Sequence, residues 1–90
     1  MIDPASIPQL NKHFRLQWEE AQDCYVLLYP EGMVKLNESA GLILSYVDGV
    51  KTVANIIAEL TERFPQVDSI ASDIEEFMAT ASAQLWVAFS

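Results

Sequence analysis

The chain has 90 residues, 51% of them hydrophobic, and 5 Lys and Arg against 13 Asp and Glu give a formal net charge of −8 at pH 7. That length suits a single domain, 1–90, and a half-apolar composition excludes a disordered chain. Few and scattered cations on a polyanion argue against nucleic acid as a partner, because phosphate binding needs clustered Lys and Arg to displace counterions.

Size and cysteine usage narrow the chemistry further. A domain this short buries roughly 60–65% of its unfolded surface, which supports one modest core and little room for a deep catalytic cavity. Cys24 stands alone, so no internal disulfide can form and a reducing compartment is expected. No apolar run follows a basic stretch near the start, so no signal peptide is expected. The longest apolar runs fall far short of the ~20 residues that span a bilayer. The expectation is a cytoplasmic domain, with no membrane partner.

Residues 1–12 contain Pro4 and Pro8 and no sustained period, which predicts a mobile lead-in. From Phe14 the pattern has period two: Phe14, Leu16 and Trp18 alternate with Arg15 and Gln17, as in a half-buried strand. Residues 19–23 are a polar connection of hairpin length. Residues 24–29 are apolar on both faces, as in a covered middle strand. Pro30-Glu31-Gly32 supplies turn chemistry, and residues 33–36 make a short third strand. Strands joined by tight loops pair with their neighbours, so the sheet is predicted antiparallel with order 1-2-3 and the third strand at an edge.

After Leu36 the period becomes helical. Asn37 is a good N-cap, and Ala40, Ile43, Leu44 and Val47 fall on one helix face until Asp48-Gly49. Thr52 starts a second helix with the stripe Val53, Ile56, Ile57, Leu60 and Phe64, ended by Pro65. A third helix starts near Asp68 or Ser69, with the stripe Ile70, Ile74, Phe77, Met78, Ala81 and Leu85. Trp86 begins a short tail. Strands segregated from helices predict an α+β fold: a three-stranded antiparallel sheet followed by a three-helix bundle, winged-helix-like in arrangement.

Catalytic constellations are scarce. His13 and Cys24 are the only residues of their types. Centring the first turn near Ala21 sets Trp18 against Cys24 and His13 against Tyr29. The two then lie about 16 Å apart at ~3.3 Å per residue, against a hydrogen-bond reach of ~3 Å. They read as a packed thiol and a surface imidazole. One His and one Cys do not make a metal site, and Asp68, Asp73, Glu75 and Glu76 read as a solvated helix face. Glycines stand singly at 32, 41 and 49, so there is no phosphate loop. No enzyme activity, metal or cofactor is expected. The third strand presents an open edge, which is either blunted by Lys35 and the Pro-Glu-Gly turn or available to pair with a peptide.

The stretch Tyr25-Val26-Leu27-Leu28-Tyr29-Pro30-Glu31-Gly32-Met33-Val34-Lys35-Leu36-Asn37 resembles the PqqD family of pyrroloquinoline quinone biosynthesis. Further matches are Arg15-Leu16-Gln17, Ser39-Ala40, Ile43-Leu44, Asp48-Gly49, Thr52-Val53, Ile56-Ile57, Leu60, Asp73-Ile74, Phe77-Met78 and Trp86, so the resemblance runs from about residue 8 to 87. Two places depart from it. Leu85 stands where a glycine commonly precedes the tryptophan, and Asn11-Lys12 lacks the usual glycine-containing form. The resemblance implies a RiPP recognition element, a peptide chaperone that binds the ribosomal precursor peptide of pyrroloquinoline quinone. It further implies presentation of that peptide to a radical S-adenosylmethionine enzyme, which joins a Glu and a Tyr by a carbon–carbon bond. In such a fold the leader adds as a strand to the third strand, beside the last helix. Carried onto this chain, Met33, Val34, Lys35 and Leu36 supply the edge, and Ile74, Phe77, Met78 and Ala81 line the groove. Val34→Pro is then expected to weaken binding by removing an N–H. An exposed edge is compatible with a monomer or a strand-exchanged dimer. The other readings are an interaction module of a different peptide-modification pathway and a winged-helix DNA binder. The second is disfavoured by the absence of Lys and Arg in residues 68–85.

Overall fold

The computed structural model describes residues 2–90 and has an α+β architecture. Strand β1 is Pro8–Leu10, β2 is Arg15–Glu19, β3 is Cys24–Tyr29 and β4 is Gly32–Lys35. Helices α1 (Glu38–Ser45), α2 (Val53–Arg63) and α3 (Ile70–Ala83) follow, and β5 (Val87–Phe89) closes the chain.

Strands β2, β3 and β4 form one antiparallel sheet with β3 in the middle. The first hairpin is offset by one residue from the sequence expectation: Trp18 faces Tyr25, and Cys24 faces Glu19. The connection is residues 20–23, closed by Asp23 at a φ of 54°. Aspartate tolerates that left-handed conformation better than most residues, which shortens the turn. Because opposed residues share a face, Leu16, Leu27 and Val34 lie on one side, with Trp18, Tyr25 and Leu36 beside them. The helices pack on that side.

Caps set the helix starts. The Asn37 side chain accepts the Ala40 N–H at 2.8 Å, and Thr52 and Asn55 form a reciprocal capping box. Helix α1 stops at Ser45, a turn earlier than Asp48-Gly49 had suggested. Asp48 instead uses its carboxylate to accept the Lys51 and Val50 N–H groups, and Gly49 turns the chain at a φ of 77°. Helix α2 ends before Pro65, which cannot continue the ladder.

Two apolar clusters make the core. One joins the helices through Ile43, Val53, Ile56, Leu60, Ile74 and Met78. The other joins sheet to helices through Leu27, Leu36, Leu44, Ala81 and Val87. No polar side chain is buried among the described residues. No helix among them is long and apolar enough to cross a membrane.

The two ends correct the sequence reading. The stretch 1–12, expected as a mobile lead-in, contains β1, which pairs antiparallel with β5 in a second, two-stranded sheet. Pro8 is fully buried, and Ile7 and Ser90 exchange both backbone hydrogen bonds at 3.0 Å. Val53 N–H also donates to Ser6 O at 2.9 Å. Three-residue strands so far apart in sequence show no readable period, and only the fold brings them together.

Candidate functional site

Strand β4 pairs with β3 on one side only, so its other edge is open. In an antiparallel ladder, opposed residues alternate between pairs that exchange hydrogen bonds and pairs that do not. Leu36 N–H donates to Tyr25 O at 3.1 Å, so the alternation makes Leu27–Val34 and Tyr29–Gly32 bonded pairs too. The backbone N–H and C=O of Met33 and Lys35 therefore point away from β3. This moves the test position: Val34 spends its N–H inside the sheet, and Val34→Pro breaks the fold's own ladder. Met33 and Lys35 hold the outward groups. The Met33 side chain is 51% exposed, Lys35 is exposed, Val34 is half-buried and Leu36 is buried.

The residues assigned to the groove divide. Val34, Leu36, Phe77 and Ala81 all pack on one apolar cluster, which places β4 and α3 on the same side of the core. Phe77, midway along α3, is half-buried with its ring centroid 6.4 Å from that of Trp86, giving an aromatic rim between the helix and the segment that follows it. Ala81 is fully buried beneath it. Ile74 and Met78 are 1% and 0% exposed and belong to the interhelical core. Like Ala81, they are packed inward in the free domain, and Phe77 is the one of the four groove residues that is only half-buried. Helical period marks which residues face inward; it does not separate a core from a groove.

Two features escaped the sequence reading. An apolar cleft of about 320 Å³ opens between the start of α1, the end of α2 and the start of α3, lined by Leu42, Phe64, Val67 and Ile70. Glu38, three residues beyond Lys35, forms part of its wall, and Ile74 reaches its floor. A wider cleft of about 460 Å³ shares Glu38, Leu42 and Phe64 with it and extends to Trp18 and Arg63. Arg63 donates to the Tyr46 hydroxyl at 3.0 Å, and Trp18, 48% exposed, meets Tyr25 edge-on at 5.0 Å. The available signal was Val67, an apolar residue in a polar connection.

The corrected hairpin register puts Cys24 opposite Glu19, six positions from His13, or ~20 Å along the ladder. The two do not form a nucleophile and base. Asp48 lies outside the β4 edge, in the loop after α1. The Lys51 and Val50 N–H groups hold its carboxyl below the ordinary value.

Residues 24–87, which contain β3, β4 and all three helices, match the family described as Coenzyme PQQ synthesis protein D (PqqD). The chain belongs to the PqqD family. A relative from Pseudomonas aeruginosa (strain UCBPP-PA14), named PqqA binding protein, is 60% identical over 82 residues, 91% of this chain and 89% of the relative. Another of that name, from Azotobacter vinelandii, is 57% identical over 81 residues, 90% of this chain and 88% of the relative. The chain also resembles a solution NMR structure, the PqqD truncation of Methylobacterium extorquens PqqCD. The TM-score is 0.79 at 28% identity, covering 98% of this chain and 95% of that one. That PqqD truncation is described as a functional, stand-alone RiPP recognition element.

Proposed function

We propose that this PqqD-family domain binds the PqqA precursor peptide as an added strand on β4 and presents it to a radical S-adenosylmethionine enzyme for Glu–Tyr cross-linking. The observation that carries the docking site is the pair of outward backbone groups at Met33 and Lys35, beside the Phe77–Trp86 rim. Main-chain bonds to such an edge give affinity, and side chains alternating between the two faces give selectivity. The names of the relatives support PqqA as the peptide.

The domain acts as a cytoplasmic carrier and not as a catalyst. Fixing the backbone of a flexible peptide costs about 1–2 kcal/mol per residue. A strand already extended on β4 arrives at the enzyme with part of that ordering complete.

Calorimetric titration of PqqA tests this reading. Met33→Pro removes one outward N–H at an edge position where proline is tolerated, so the fold stays intact while affinity falls about tenfold. The amide spectrum of the free variant verifies the fold. Equal affinity of wild type and Met33→Pro would exclude β4 as the docking edge.

A further inference from the structure

The sheet face turned away from the helices has an uneven charge distribution. It carries Arg15 and Lys35 against the single carboxylate of Glu19, a local +1 on a chain of net −8. Val26, fully buried opposite Lys35, and the half-buried Leu28 lie on the same face, outside both core clusters. Lys35 lies on this face at the open edge. The ion pair formed among the described residues is Lys51 with Glu59 at 3.3 Å, and none of the described carboxylates pairs with the Lys35 ammonium.

Lys35 also supplies an outward N–H and C=O. A peptide residue that exchanges hydrogen bonds with it must project its side chain on the same face, with Cβ atoms about 5 Å apart. That side chain meets the ammonium. The neighbouring peptide residue, opposite Val34, projects to the other face, towards the cluster containing Phe77 and Trp86.

Resting on the docking proposed above, we infer that β4 selects a peptide strand with a carboxylate side chain beside Lys35 and an apolar side chain next to it, opposite Val34. Lys35 is then a specificity determinant and not only a charge that blunts an edge.

The test is a titration of PqqA against wild type, Lys35→Gln, Lys35→Glu and Met33→Pro. At low salt Lys35→Glu weakens binding about fivefold and Lys35→Gln by less, since exposed pairs and like-charge neighbours act on that scale. The difference fades near ~0.5 M salt, where screening is short-ranged. A PqqA variant with one Asp or Glu changed to Lys restores binding to Lys35→Glu. If Lys35→Glu binds as wild type does while Met33→Pro fails, docking stands and the carboxylate inference falls. A salt-independent loss that no PqqA charge variant compensates also overturns it. If Met33→Pro binds normally, or wild type does not bind PqqA, the docking reading and this inference fall together.

Discussion

Leu85 carries a backbone conformation that L-residues avoid, with a φ of 64° and a side chain 68% exposed. It is the turning residue of a Schellman motif: Trp86 N–H donates to Ala81 O at 2.8 Å, and Leu85 N–H to Ser82 O at 3.0 Å. The apolar spacing of the α3 stripe continues from Ala81 to Leu85. The chain has already left the helix there. Leu85→Gly relieves the left-handed strain at little cost in burial, so urea unfolding should show a gain of about 1 kcal/mol. Asp48 acts at the same scale. Its folded pKa lies below the unfolded one, so its contribution is complete above the ordinary carboxylate value of about 4 and is lost as pH falls through the folded value. Asp48→Asn should therefore lose less stability than wild type when unfolding is followed from pH 5 to pH 2.

Among elements, α1 sits close on β3 at Gly41. A Cβ at Gly41 would lie 2.9 Å from Tyr25 Cδ2 and 3.0 Å from Tyr25 Cβ. Gly41→Ala gains up to about 1 kcal/mol of helix propensity. Overpacking of this kind costs about 1–3 kcal/mol, so chemical denaturation should show a net loss of about 1 kcal/mol. The strands of the main sheet were legible because Phe14, Leu16 and Trp18 alternate and Pro30-Glu31-Gly32 breaks the chain. The first register was not, since a left-handed Asp23 has no signature of its own. The open edge at residues 33–36 was legible as an edge. Which of its N–H groups point outward depends on the hydrogen-bonding phase, and one bond from Leu36 to Tyr25 fixes that.

At the scale of the molecule, the ends support the site. The β1–β5 pair ties the chain's start to the segment that follows Trp86, and Asn11 N–H donates to Trp86 O at 2.8 Å. The aromatic rim beside β4 thus depends on residues that looked like a loose lead-in. The charge of −8 argues against nucleic acid as a partner. Its distribution matters more, because a cation-bearing sheet face adjoins the open edge of an otherwise anionic domain. Ninety residues suffice for the work proposed here, holding one extended peptide.

Amide hydrogen exchange with and without PqqA tests that work most directly. Val34 N–H, bonded within the sheet, should exchange slowly in both states. Met33 and Lys35 N–H should exchange quickly in the free domain and become protected on saturation with the peptide. Saturable PqqA binding that leaves Met33 and Lys35 exchanging as fast as before would contradict strand addition at β4.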